Sequence, residues 1–257
     1  MNELNQRSVR LLFDIPVFSG TKREVLEFVT KWLQSAPKTT VHTIFTPNPE
    51  QIVATRRYPW FQSILSASSI NLPDGEGVVW AMNRRYPELH LKRISGREIF
   101  HDLLVYSSQE NLKVFFLGGK QGSADAVIQM YQKQHPRLDW RSDPGAQAIQ
   151  QESSQENQRV LTAIADYRPD LVCVAYGAPW QEKWVYDNMA DLTVAGVKVA
   201  MVVGGSFEYE AGKVPQVSPL VSSLKLEWLQ RLIMEPARLK RQLIGAQFFL
   251  WVLQGKS

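Results

Sequence analysis

Residues 170–182 read Asp-Leu-Val-Cys-Val-Ala-Tyr-Gly-Ala-Pro-Trp-Gln-Glu. The run Asp170–Ala175 is apolar at every position after the first. Glycine and proline then interrupt it, and an amphipathic stretch follows from Trp180 to Met189. A strand buried on one face alternates apolar with polar, whereas a strand buried on both faces is apolar throughout and belongs to a parallel sheet covered by helices. Val199-Ala200-Met201-Val202-Val203 repeats the pattern and again ends in glycines, Gly204-Gly205.

Working outward, further strands are expected at Val41–Phe45, Ser69–Leu72, Leu112–Leu117 and Leu138–Arg141, with the last two extending over Asp170–Ala175 and Val197–Val203. Between them lie helical patterns at Thr21–Gln34, Glu50–Arg57, Pro59–Ala67, Gly77–Arg84, Gly96–Ser108, Ser123–Gln134, Ser153–Tyr167 and Trp180–Met189. Alternating strands and helices predict an α/β fold, a Rossmann-like, mostly parallel sheet with helices on both faces. The composition changes near Pro219. Leu224–Leu253 mixes Leu, Trp and Phe with Lys225, Arg231, Arg238, Lys240 and Arg241, and Pro236 separates two helical patterns. The chain is therefore divided into an α/β domain, 1–218, and a basic amphipathic helical appendage, 219–257.

Several classes are disfavoured. The 257 residues carry a net charge of +4, with Lys and Arg scattered rather than gathered in stripes, so no nucleic-acid partner is expected. One cysteine, Cys173, sits in the apolar run and reads as core, and the four histidines have no ligand spacing, so neither a disulfide nor a metal site is expected. No cofactor is indicated. The N-terminus lacks a signal-peptide core, and no stretch offers the about 20 apolar residues of a membrane span. A cytoplasmic protein is expected. An exposed apolar tail also allows self-association as a homo-oligomer.

Ligands of such sheets bind outside the carboxyl ends of the strands, which selects the loops to inspect. Asp74, in Pro73-Asp74-Gly75, is placed to take a proton from a substrate hydroxyl, or to cap the next helix. Thr46 and Asn48 suit hydrogen bonds to a sugar or nucleotide; Asn48 equally suits a helix cap. Gly118 and Gly119 open a turn into a helix, where a phosphate or a plain tight turn fits. The stretch is neither a Walker A motif nor G-x-G-x-x-G, which disfavours a dinucleotide-dependent oxidoreductase. Arg93 and Arg97 flank Ser95-Gly96 and suit a diphosphate or the solvated surface. Gln181 and Glu182 begin a helix at another edge loop. Arg231, Arg238 and Arg241 fall near one helical face, suited to lipid phosphates or to docking on the core.

The stretches TPNPEQIVATRRYPWF (46–61), LPDGEGVVWA (72–81), RISGREIF (93–100), VFFLGGKQG (114–122), RPDLVCVAYGAPWQEKW (168–184), VVGGSFEYEAGKVPQ (202–216) and LEWLQRLIMEPARLKRQ (226–242) together resemble the WecG/TagA/CpsF family, glycosyltransferase family 26. The resemblance runs from about residue 9 to the end. It implies a GT-E-like fold and an inverting, metal-independent transfer from a UDP-sugar, N-acetylmannosamine-like, to a polyprenyl-diphosphate-linked sugar. Teichoic acid, common antigen and capsule synthesis use such enzymes. By motif, the resemblance implies that Asp74 is the base and that Gln181 belongs to the catalytic pocket. Thr46 and Asn48 lie near the donor sugar, and Arg93 near the diphosphate. Gly118, Gly119 and Glu208 are expected to bind substrate. Arg231, Arg238 and Arg241 imply contact with the membrane and the lipid diphosphate, placing the enzyme on the inner face of the cell membrane. Glu98 and Glu208 stand where the family pattern has Asp, and Gln216-Val217 where it has Arg-Ala. A non-catalytic nucleotide-sugar-binding or scaffold protein of the same fold is the alternative.

Overall fold

The computed structural model describes residues 8–36, 40–213 and 239–255. The chain opens with an antiparallel hairpin, β1 (Val9–Leu12) and β2 (Ile15–Phe18). There follow α1 (Lys22–Gln34), β3 (His42–Phe45), α2 (Pro49–Arg57), α3 (Pro59–Ala67), β4 (Ile70–Asn71), α4 (Glu76–Arg85) and α5 (Gly96–Gln109). Next come β5 (Val114–Gly118), α6 (Ser123–Gln132), β6 (Arg141–Asp143), α7 (Ser154–Tyr167), β7 (Leu171–Ala175) and α8 (Trp180–Asp187). The last are α9 (Met189–Val194), β8 (Val199–Val202), α10 (Ser206–Glu210) and α11 (Leu239–Leu253).

The six strands β3–β8 form one parallel sheet in the order β4-β3-β8-β7-β5-β6. Successive side chains of a strand point to opposite faces, so each apolar run feeds two cores. Leu171 and Cys173 join Ile44, Phe116, Met201, Phe100 and Val127 on one face. Val172 and Val174 join Phe45, Phe115, Val202, Phe61 and Ile164 on the other. Burial of Cys173 pushes its thiol pKa up, which keeps it in the unreactive form.

The chain moves from β3 outward to β4, crosses to β5, moves outward to β6, and returns to place β7 and β8 in the centre. The connections of β5 and β7 therefore leave in opposite directions. That opens a crevice at their carboxyl ends, the usual ligand position in such sheets.

Three details differ from the sequence expectation. The hairpin was not among the expected strands. Its turn, Phe13-Asp14, has positive φ at both residues, 51° and 63°, in a position where glycine or asparagine is usual. Phe13 is held there by ring contacts to Phe248 and Trp251 at 5.6 and 6.0 Å. The strand expected at Leu138–Arg141 begins only at Arg141, because the Leu138 N–H is taken by the His135 carbonyl in a turn and pairing with β5 starts at Arg141, opposite Phe115. The helix expected over Trp180–Met189 breaks at Asn188, whose amide donates to the Trp184 carbonyl and whose carbonyl oxygen accepts from Asn157.

Helix α11 packs against α2 and α4. Phe248 and Val252 are buried with the β3 and β8 side chains, and Gly245 lies against Glu50. The helix thus rests on the first turns of α2 and α4, directly behind the loops that follow β3 and β4.

Candidate active site

The loop after β4 is held on both sides. Leu72 N–H extends the ladder to the Phe45 carbonyl, Asp74 N–H returns to the Leu72 carbonyl at 2.8 Å, and Ile94 N–H reaches the Pro73 carbonyl at 3.3 Å. The N-cap of α4 falls on Gly75, at φ 97°, with no side-chain cap bond. Asp74 is therefore not the capping residue, and its carboxylate is oriented by other contacts. Arg93 Nε lies 3.6 Å from Asp74 Oδ1, with both side chains part-buried. At the start of α5, a Cβ on Gly96 would stand 2.5 Å from Thr46 Cγ2 and 3.6 Å from Asp74 Oδ2. The absence of a side chain at Gly96 lets Thr46, Asp74 and the start of α5 close on one another. Four residues from three separated stretches, Thr46, Asp74, Arg93 and Gly96, thus meet at the carboxyl ends of β3 and β4.

Asn48 performs the capping role that its position allows. Its Oδ1 accepts the Gln51 N–H at 3.0 Å, and Gln51 Oε1 accepts the Asn48 N–H at 2.8 Å, a reciprocal capping box. The cap uses only Oδ1. Gln181 is buried, and its Oε1 accepts the N–H of Gly177 at 3.1 Å and of Gly204 at 3.2 Å. It ties the loops after β7 and β8 together. Its amide donates to Glu182 Oε1, which also accepts from Gln51. Gln51 was not picked out by sequence reasoning, although Asn48-x-x-Gln51 is a recognisable capping-box spacing.

Across the crevice, Gly118 and Gly119 have φ of 81° and 83°. Their bare Cα positions are covered by the Tyr176 and Phe207 rings, which a Cβ would meet at 2.8 and 2.6 Å. Two of the loop's donors are committed within the protein: Gly119 N–H bonds the Ala175 carbonyl, and Lys120 N–H bonds Glu208 Oε1 at 3.0 Å. Glu208 is a buried carboxylate on α10 that fixes this turn. Tyr176 itself is part-buried, and desolvation raises its phenol pKa, so it stays neutral.

Arg97 lies over the Tyr209 ring at 4.8 Å. Glu98 pairs with Lys22 at 3.4 Å on an exposed surface. Arg231, Arg238 and Gln216-Val217 lie outside the described residues, and Arg241 belongs to the first turn of α11. Among the described residues no three His, Cys, Asp or Glu side chains converge as a metal site, and no helix is long and apolar enough to cross a membrane.

The parallel α/β sheet thus gathers a carboxylate, an arginine and hydroxyl and amide groups at its carboxyl edge, where enzymes of this architecture hold their ligands. The chain belongs to the glycosyl transferase WecG/TagA/CpsF family, whose model matches residues 10–257. It is similar to the N-acetylglucosaminyldiphosphoundecaprenol N-acetyl-beta-D-mannosaminyltransferase of Bacillus subtilis (strain 168), with 32% identity over 211 residues, 82% of this chain and 78% of that protein. The chain is a glycosyltransferase.

Proposed function

We propose that the enzyme moves an N-acetylmannosamine-like sugar from a UDP-sugar to a polyprenyl-diphosphate-linked N-acetylglucosamine acceptor, with inversion, in cell-surface polysaccharide synthesis. The sugars follow the name of the Bacillus subtilis relative. The observation that carries the reading is the convergence of Asp74, Thr46 and Arg93 around Gly96.

In this reading the Asp74 carboxylate accepts the proton of the acceptor hydroxyl. The freed oxygen lone pair attacks the anomeric carbon from the face opposite UDP. The bond to UDP breaks, and its electron pair leaves on the diphosphate. Arg93 offsets the developing charge. In the structure Arg93 Nε lies 3.6 Å from Asp74 Oδ1, and in this reading its guanidinium turns to the diphosphate when substrate binds. Thr46 and the Asn48 amide left over from the cap orient the sugar. Gly118, Gly119 and Glu208 shape the nucleotide side of the crevice, where the two bare glycines allow close approach. Gln181 holds the floor between the two sides.

The Gly119 and Lys120 N–H groups are engaged within the protein, and the leaving diphosphate also takes positive charge from side chains. Arg231, Arg238 and Arg241 of the 219–257 appendage supply it in this reading, while apolar side chains of the same segment meet the bilayer that holds the acceptor. The enzyme then works peripherally on the inner face of the cell membrane. A UDP-release assay over several UDP-sugars, with a short-chain lipid-diphosphate N-acetylglucosamine acceptor, tests the reading. Release is expected only with acceptor present and fastest with UDP-N-acetylmannosamine. UDP binding with no acceptor-dependent release for any sugar would overturn it.

A further inference from the structure

Three loops of the carboxyl edge converge on one buried group. Glu182, in the first turn of α8, is 0% exposed. Its Oε1 accepts from Gln51 Nε2 at 3.0 Å and from Gln181 Nε2 at 3.1 Å. Gln51 passes the link to the Asn48 N–H, and Gln181 passes it to the N–H groups of Gly177 and Gly204. One carboxyl oxygen therefore connects the loops that follow β3, β7 and β8. Glu182 Oε2 has no hydrogen-bond partner among the described residues. Its only side-chain partners there are the two amides, so no cation offsets its charge, and burial pushes its pKa up to about 7. An apolar side chain would fill the space without desolvating a carboxyl group. Fold stability alone therefore does not account for a carboxyl at this point, whereas a need to hold three loops in register does.

We propose that Glu182 is a positioning residue for sugar transfer. It sets the Asn48 loop, on the sugar side, against the Gly177 and Gly204 loops, on the nucleotide side. It touches no substrate and acts through Gln51 and Gln181. The inference rests on the site assignment proposed above. Loss of the bridge lets the two sides drift, and a shift near 1 Å costs up to roughly 100-fold in rate.

The test uses full-length Glu182→Met, Gln51→Met, their double variant and Glu182→Gln. Turnover of UDP-N-acetylmannosamine with the short-chain acceptor is measured per folded molecule, with the folded fraction read by circular dichroism. Glu182→Met and Gln51→Met should each lower kcat by about 10-fold or more, with donor KM within about 3-fold. The double variant should be no slower than Glu182→Met, because both single changes cut one bridge. Glu182→Gln keeps a neutral acceptor oxygen and should stay within about 3-fold of the unaltered enzyme. Normal kcat in folded Glu182→Met, multiplying losses in the double variant, or equal damage in Glu182→Gln and Glu182→Met would each overturn the proposal. If Glu182→Met does not fold, normal kcat in Gln51→Met overturns it instead. An Asp74→Asn control separates the two levels. An inactive Asp74→Asn beside a fully active Glu182→Met removes only the bridge, whereas an active Asp74→Asn removes the site assignment itself.

Discussion

Gly96→Ala adds one methyl group between Thr46 and Asp74. The new Cβ would stand 2.5 Å from Thr46 Cγ2, 3.2 Å from Thr46 Cβ and 3.6 Å from Asp74 Oδ2. Carbon atoms rest at about 3.5–4.0 Å, so roughly 1 Å must open between α5 and Thr46, while Asp74 meets only ordinary contact. Thr46 is β-branched and stiff at χ1, so it yields by moving its backbone rather than by rotating freely. Overpacking of this kind costs about 1–3 kcal/mol, and the better helix propensity of alanine returns up to about 1 kcal/mol. The net loss of about 1–2 kcal/mol should lower Tm by roughly 2–8 °C for a chain of this length. A displacement near 1 Å at a substrate-orienting residue should lower kcat by up to about 100-fold. Scanning calorimetry gives the first quantity, and initial rates of UDP release per folded molecule give the second. A lowered Tm with normal kcat would show that Thr46 is remote from the reaction. Normal values of both would refute the close contact itself.

Other consequences are open to measurement. Glu182 is buried with its pKa raised from 4.5 to about 7, so the native state binds the extra proton between those values and this group's contribution to stability falls as pH rises through that window. Glu182→Gln removes the titration, and its stability relative to the unaltered protein should grow by about 3 kcal/mol between pH 4.5 and pH 7; a pH-independent difference in urea unfolding would contradict the buried neutral carboxyl. Phe248 is fully buried on α11 and contacts Phe13. Phe248→Ala should cost about 3–5 kcal/mol in the same assay, and a loss below about 1 kcal/mol would show that α11 does not share the core. Replacing Arg231, Arg238 and Arg241 together by Gln should weaken sedimentation with anionic vesicles by about 1 kcal/mol per arginine; unchanged sedimentation would remove them from the membrane contact.

The sheet was legible where local physics decides it. Leu171–Ala175 and Val199–Val202 are apolar on both faces because both faces are covered, and their glycine-rich ends mark the edge of the candidate site. The hairpin was illegible because the turn at Phe13-Asp14 carries no glycine or asparagine; aromatic contacts to Phe248 and Trp251, from the far end of the chain, hold it. Strand order was also illegible, since parallel neighbours such as β3 and β8 meet only through long crossovers. At the candidate site, the edge rule selected Thr46 and Asp74, Arg93 was singled out only for its place beside the Ser95-Gly96 turn, and the capping alternative for Asn48 was visible in its place ahead of a helix. The bond from Gln51 to Glu182 spans 131 positions and that from Lys120 to Glu208 spans 88. Neither leaves a local pattern, so the committed N–H groups of the glycine turn and the buried bridge emerge only from the fold.

The most direct measurement is the turnover of Asp74→Asn with UDP-N-acetylmannosamine and the lipid-linked acceptor. The substitution preserves shape and removes the basic oxygen, so the folded protein should keep its unfolding midpoint and lose about 100- to 10,000-fold in kcat. A folded Asp74→Asn enzyme that turns over within a few-fold of normal would show that Asp74 does not accept the acceptor's proton.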